Sequence, residues 1–467
     1  MHRECANYNR SLPLSTVRFS KSFKRSPTAL EWARFRKNAR RMRKLGEYGT
    51  LSVLSSEVYS ILQLCAINEP LFPNMKSLQL WHVAWKFIPF IPLFLSPKTA
   101  VIDIRFSDSH LAKAAIASTI ATFPIMCPNL QNISLHPLPR DPAITVVVSG
   151  MVLASNRNAL RCFRVDSLLT KKAREAIYRL PDLRELLVVI ERNTSLPSLV
   201  LPSLTDLTIT YDYGSDWLRV FTGAALEKVV ALTFYSGSEQ IDGFLEEFET
   251  VALAASPQNE LSRFRLHTSR SWKPNYSSLL QFTQLTDLLV EFSCGDVCSS
   301  TVDDGVITNL ARTMPRLETL RLGGAPCCKI RTGVTAKGLV VLACHCSDLS
   351  TLCIHLQVAS LSASPEIDGA TSNAESTTPW KDCGLTKLEV GKIPAPEGLG
   401  LAAALTLVRI FPYIEHISSV GGSWEGVMDA IRLSRNIVDC SSKEHPFSTP
   451  RSCLTDTPPG AALENGS

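Results

Sequence analysis

One short phrase recurs along the chain and constrains its fold more than any other feature. It runs from a Pro or polar residue through an apolar residue, two others, an apolar residue, one other and a final apolar residue. The clear copies are Pro73-Asn-Met75-Lys-Ser-Leu78-Gln-Leu80, Pro128-Asn-Leu130-Gln-Asn-Ile133-Ser-Leu135, Pro181-Asp-Leu183-Arg-Glu-Leu186-Leu-Val188, Pro202-Ser-Leu204-Thr-Asp-Leu207-Thr-Ile209 and Pro315-Arg-Leu317-Glu-Thr-Leu320-Arg-Leu322. Weaker copies begin at Leu160, Val229, Leu261, Leu285, Leu349, Leu385 and Ile414, and the faintest at Thr99. Counted by first apolar position, Met75 to Ile414 is 339 residues in 12 steps, a mean near 28. Within each phrase the last two apolar residues alternate with polar ones, the period-two sign of a strand with one wet face. Between phrases the spacing turns helical: Leu168 to Leu180 and Phe244 to Leu253 read as amphipathic helices, and Val306 and Leu310 lead into the phrase at Pro315.

A strand and a return helix of this size cannot bury their apolar faces alone and must stack on their neighbours. The chain is therefore expected to be an α/β leucine-rich-repeat solenoid, a horseshoe with a parallel concave β-sheet and outer helices. A continuous core of this kind accounts for 467 residues without several compact domains. Composition agrees, with 45% hydrophobic residues, 19% charged and a mean hydropathy of +0.08. The longest apolar stretch, Phe87 to Leu95, is interrupted by Pro89 and Pro92 and falls short of the ~20 residues that cross a bilayer, so no membrane partner is expected. Met1 to Phe19 lacks the apolar run of about 7–15 residues of a secretory leader. With 14 cysteines, this points to reduced thiols and a cytoplasmic or nuclear location.

Two central units are more specific. They are Val302-Asp-Asp-Gly305-Val306-Ile-Thr-Asn-Leu310-Ala311-Arg-Thr-Met-Pro315 and Val334-Thr335-Ala-Lys-Gly338-Leu339-Val-Val-Leu342-Ala343-Cys-His-Cys346. Both resemble the cysteine-containing class of leucine-rich repeat found in F-box proteins, in which a Gly-Leu opens the helix and a Cys or Pro ends it. Near the amino terminus, Thr28-Ala-Leu-Glu31 is a capping box that predicts a helix start. Trp32, Phe35, Ala39 and Met42 recur at three and four residues, and Gly46 is placed to end the helix. This phrase, a helix near Ser55 to Cys65 and then Leu71-Phe-Pro-Asn-Met-Lys-Ser-Leu resemble the segment after the F-box in a group of fungal F-box and leucine-rich-repeat proteins. The resemblance implies a substrate receptor of a cullin-RING ubiquitin ligase, with a ligase adaptor as partner where an F-box precedes the segment. Residues 1–27, with only Ser11-Leu12-Pro13-Leu14, do not supply that module.

The net charge of +5 conceals an asymmetry. Residues 1–47 hold 13 Lys and Arg against 3 Asp and Glu, giving +10, and the remaining 420 hold 35 against 40, giving −5. The basic patch at Arg40, Arg41, Arg43 and Lys44 has two readings: a solvated face of a helix that caps the first repeat, or a surface for an anionic partner such as nucleic acid. The domain plan is a poorly defined arm over 1–27, a basic helical cap over 28–70 and the solenoid over 71–437. An insertion rich in Ser, Ala, Thr, Glu and Pro over 360–378 interrupts the solenoid, and 438–467 is expected to be a disordered tail.

Cys294, Cys298, Cys327, Cys328 and Cys344-His345-Cys346 fall in one stretch at spacings that zinc sites use. Cys346, however, ends a repeat helix and Cys353 occupies a strand, so the register accounts for both without a metal. No metal or cofactor is expected. Phosphate-loop, His-Glu-x-x-His, Gly-x-Gly-x-x-Gly and Gly-x-Ser-x-Gly motifs are absent, Gly421-Gly-Ser423-Trp-Glu-Gly426 being a turn-like near miss, so no catalytic residue is assigned. Function then rests on the outward residues of the strands. The residue between the last two apolar positions and the one after them should face the concave side. This selects Trp81, Arg164, Tyr235, Arg265, His267, Arg321 and His355 as candidates for holding a target protein, since Arg and aromatic residues anchor protein interfaces. Arg265 and Arg321 are expected to offer their guanidinium groups to carboxylates of that target.

Overall fold

The computed structural model describes residues 25–48, 55–66, 69–107, 112–154, 159–190, 201–211, 228–236, 244–255, 260–268, 274–292, 302–323, 333–357, 360–361, 383–390, 400–419 and 424–443. Among them, 14 strands form one all-parallel sheet in chain order. The first seven are β1 Lys44–Tyr48, β2 Ser77–Val83, β3 Val101–Phe106, β4 Asn132–His136, β5 Cys162–Val165, β6 Glu185–Ile190 and β7 Asp206–Tyr211. The rest are β8 Ala231–Ser236, β9 Arg263–Thr268, β10 Asp287–Phe292, β11 Thr319–Leu322, β12 Thr351–Ile354, β13 Lys387–Val390 and β14 His416–Ser419. The protein is a leucine-rich-repeat solenoid.

The register follows from the phrase. Leu78, Ile102, Ile133, Phe163, Leu186, Leu207, Leu232, Phe264, Leu288, Leu320, Leu352, Leu388 and Ile417 pair across successive strands as one apolar ladder, and all are buried. A one-residue slip anywhere would turn this ladder outward, so burial fixes the register. Even the faint copy at Thr99 joins the sheet through β3. Thr99 takes an apolar residue's place because its hydroxyl is satisfied in the core, donating to Met75 O at 3.2 Å and accepting from Ser96 N at 3.0 Å.

Return segments cover the other face. They include a ten-residue 3₁₀ stretch, Trp85–Phe94, whose prolines withhold the amides an α-helix needs while Phe87, Ile88, Ile91 and Phe94 remain buried. The central pair are the helices Asp304–Thr313 and Ala336–His345, the latter capped at its end by buried Cys346. These two are clasped: the Asp304 carboxylate accepts from Thr335 N at 2.8 Å and from the Thr335 hydroxyl. Gly338 is required there, since a Cβ would run into Asp304 and stand 2.7 Å from Val334. The second helix thus opens against the first, and the Gly of the repeat phrase is the point of close approach.

The amino-terminal helix departs from expectation. The capping box forms, with Glu31 N donating to the Thr28 hydroxyl and Thr28 N donating to Glu31, and Trp32 stacks on Phe35 at 4.9 Å. The helix, α1 (Ala29–Ala39), then stops seven residues before Gly46, and the chain enters β1. Lys44, Leu45 and Gly46 pair with Ser77, Leu78 and Gln79, because Met42 and Leu45 satisfy the apolar positions of a strand phrase as well as those of a helix. The basic patch is therefore split: Arg40 and Arg41 lie in the turn after α1, Arg43 precedes the strand and Lys44 opens it. At the other end, the helix Glu425–Lys443 carries residues 438–443, expected to begin the tail, in helical form. The expected arm over 1–24, the insertion from 362 and the tail from 444 lie outside the described residues, as do Cys294, Cys298, Cys327 and Cys328.

Candidate functional site

The open face of the sheet presents three rows of side chains. In β9 these are Arg263, Arg265 and His267, with Phe264 and Leu266 buried between them. Strand pairing aligns each row from repeat to repeat, so the chemistry of the face is set by which residues the register makes neighbours. The centre, over β7 to β10, shows this most fully. Tyr235, His267 and Glu291 are paired in register across β8, β9 and β10. The Tyr235 and His267 rings stack at 4.6 Å with a 10° interplanar angle, and His267 Nδ1 lies 2.9 Å from Glu291 Oε2. The carboxylate fixes the imidazole orientation, and the imidazole supports the phenol ring, which remains 40% exposed.

The arginines are paired within the protein. Arg265 donates to the Asp287 carboxylate of the next strand, a hydrogen bond that raises the guanidinium pKa. Arg263 reaches two strands back, its Nη2 2.8 Å from Asp206 Oδ1. The residue in register between them is Ala231, whose small side chain leaves the path clear. Arg321 likewise crosses Cys353 to Glu389, 3.4 Å away, and Glu389 also accepts from Lys387 Nζ at 2.7 Å. Burial alone would raise the Glu389 carboxyl, but the Lys387 hydrogen bond and the Arg321 charge outweigh it and hold the group below the usual carboxylate range. Arg164 lies 3.1 Å from Glu185 Oε2, which also accepts from Cys162 Sγ. Nearer the amino terminus, the Arg105 guanidinium sits 4.5 Å above the Trp81 ring. Burial and the Arg105 charge push His136 down, so its imidazole is neutral at pH 7.

Six of the seven candidates picked from sequence therefore lie on the open face, and β8 and β9 bring Tyr235, Arg265 and His267 together. His355 is a correction: it is only 8% exposed. It is packed where Gly323, in the left-handed region at φ +100°, turns the chain out of β11, and a Cβ on Gly323 would stand 3.2 Å from its ring. The expectation that Arg265 and Arg321 await a partner's carboxylate is also corrected, since Asp287 and Glu389 already supply one each. Sequence reasoning missed the first outward row: Glu185, Asp206, Arg263, Asp287 and Lys387. Their signal was the alternation itself, which extends one position before the middle apolar residue.

Two of the cysteines that the repeat register places, Cys346 and Cys353, are held as neutral thiols. Burial, reinforced by Glu389, pushes the Cys353 thiol up to about 12, and burial pushes Cys346 to about 12 as well. Among the described residues no three His, Cys, Asp or Glu come together as metal ligands, and no helix is long and apolar enough to cross a membrane.

No family model and no curated protein matches the sequence. Among solved structures the chain is similar to that of a Rad7 and Elc1 complex from yeast, at 12% identity over 83% of this chain and 87% of that chain, with a TM-score of 0.42. It is also similar to an internalin from Listeria monocytogenes, at 14% identity over 69% of this chain and 76% of that chain, with a TM-score of 0.31.

Proposed function

We propose that the protein is a non-enzymatic recognition solenoid whose concave sheet holds a target protein, and that it serves as the substrate receptor of a cullin-RING ubiquitin ligase. The observation that carries the first part is the prearranged centre of the open face. Tyr235 is stacked on His267, His267 is held by Glu291, and Arg265 by Asp287, so an aromatic anchor and its surrounding charges are oriented before a partner arrives. Such preorganisation lowers the ordering cost of association, and Tyr and Arg are the residues that most often dominate interface energies. The internal carboxylates leave the centre close to neutral, which favours a partner recognised by shape and hydrogen bonding over one gathered by bulk charge. The ligase role rests on the post-F-box phrase and the two cysteine-type repeats.

Affinity purification of the full chain tests both parts. Recovery of ligase adaptor and cullin subunits is the expected result, and a target recovered without them in repeated experiments would leave a leucine-rich-repeat scaffold with no ligase link. For the recovered target, Tyr235→Ala should weaken binding by about 2 kcal/mol, on the order of 30-fold. Wild-type affinity in a folded Tyr235→Ala variant would reject the concave site.

A further inference from the structure

At the edge where the strands begin, just outside the concave rows, one backbone position per repeat forms a continuous ladder. The amides of Lys76 and Ser77 both donate to Arg43 O, those of Arg161 and Cys162 to Gln131 O, and those of Arg184 and Glu185 to Arg161 O. The equivalent positions from β1 to β14 are Arg43, Lys76, Ala100, Gln131, Arg161, Arg184, Thr205, Val230, Ser262, Thr286, Glu318, Ser350, Thr386 and Glu415. Four of the first six are basic, none of the last eight is, and two of those eight are acidic. Arg41 and Lys98, each two residues before a ladder position, and Lys44, one residue after its ladder position, extend the basic half. All seven cations are exposed, and no ion pair forms with them among the described residues; Lys98 Nζ donates to Asn74 Oδ1 at 2.8 Å. Among the described residues two carboxylates adjoin the row: exposed Asp182, two residues before Arg184, and Glu185, one residue after it, which is partly exposed and paired with Arg164.

We infer that this rim, from Arg41 to Arg184, binds the phosphate backbone of a nucleic-acid duplex. At about 4.8 Å per strand the row spans roughly 24 Å, a length over which a duplex presents about 14 phosphates. Two observations favour phosphates over an acidic protein. Lysine is depleted from protein interfaces, whereas interfaces with nucleic acid are strongly basic and contact phosphate oxygens through Lys and Arg. None of the seven positions, nor the ladder positions among them, is aromatic, so the rim lacks both the anchors of a protein interface and the stacking platforms of a single-strand site. This surface is separate from the concave centre, and its failure would leave the proposed target site untouched.

Fluorescence anisotropy of the full chain with a mixed-sequence DNA duplex, a duplex RNA of the same sequence and poly-L-glutamate is the test. Binding of either duplex should weaken steeply with salt, and the tighter of the two identifies the source of the backbone. The Lys76→Gln/Lys98→Gln/Arg161→Gln/Arg184→Gln variant should bind tenfold or more weakly, with a salt slope shallower by about 0.9 for each phosphate no longer neutralised. Lys228→Gln/Arg316→Gln, exposed cations on the same edge in the other half, should change affinity less than twofold. Wild-type affinity and slope in the folded four-residue variant would overturn the assignment. So would tighter binding of poly-L-glutamate than of either duplex.

Discussion

The concave face and the strand-start rim both draw basic side chains from the one stack of repeats, and they differ in what stands beside them. On the concave face Arg164 has Glu185 within reach, Arg263 has Asp206, Arg265 has Asp287, Arg321 has Glu389, and Arg105 lies over the Trp81 ring. On the rim, Arg43, Lys76, Arg161 and Arg184 have no such carboxylate or ring among the described residues. Parallel strands place equivalent positions about 4.8 Å apart, so an outward charge is answered or unanswered according to its neighbours one or two repeats away. The concave rows set each of these arginines within reach of a carboxylate one or two strands away, or of a ring, and close on themselves. The basic half of the rim repeats one sign and stays open, and that is why the first reads as a preset protein-binding surface and the second as a field for an anion.

Both surfaces depend on one stack, and the largest expected effect tests that dependence. Leu320 is fully buried in the ladder between Leu288 and Leu352. Leu320→Ala should lower unfolding free energy by about 2–5 kcal/mol in urea melts and disturb the neighbouring repeats. A loss below about 1 kcal/mol would show that the faces rest on independent local units.

The next largest effect separates paired from unpaired charge. Glu389→Ala leaves Arg321 and Lys387 side by side with their shared acceptor gone and should cost about 1–3 kcal/mol. Glu318→Ala, exposed on the rim, should remain within about 0.5 kcal/mol of wild type. Equal losses at the two sites would erase the distinction. The pH profile gives a second reading of the same group. The Glu389 carboxyl is lower in the folded chain than its ordinary value, so its contribution is present above the unfolded pKa, about 4.3, and is lost as pH falls through the folded one. Wild type should therefore lose stability below about pH 5 more steeply than Glu389→Gln, and superimposable acid limbs would refute the pairing.

These contrasts also show how far the sequence could be read. The apolar ladder was legible because every phrase obeys the same period, and even Thr99 fell into place once its hydroxyl had partners in the core. The concave side of each strand was legible for the same reason. Pairing was not, since it depends on which residue of one phrase lies beside which residue of the next: Ala231 between Arg263 and Asp206, and Cys353 between Arg321 and Glu389, matter only after the register is set. The first repeat was misread because Trp32, Phe35, Ala39 and Met42 keep a helical spacing past the point where Met42 begins a strand phrase. The rim was hidden by the intervals of 23 to 33 residues between Arg43, Lys76, Arg161 and their neighbours on the ladder.

The smallest expected effect is the most discriminating, because it predicts opposite signs within one repeat. Arg161 and Arg164 flank Cys162 and Phe163 at the start of β5, three residues apart, and both are exposed. Arg164 is paired with Glu185, so Arg164→Gln should lose up to about 1 kcal/mol, with a loss that shrinks as salt screens the pair. Glu185 keeps the Cys162 hydrogen bond, which limits the damage. Arg161 has Arg184 as its ladder neighbour and no carboxylate, so Arg161→Gln should leave stability unchanged or raise it by up to about 0.5 kcal/mol, with a gain largest at low ionic strength where like charges repel furthest. Urea melts of the two variants at low and high salt check this. Two losses of the same sign and salt dependence would mean that Arg161 has found a partner, and the rim would then be as internally satisfied as the face beside it.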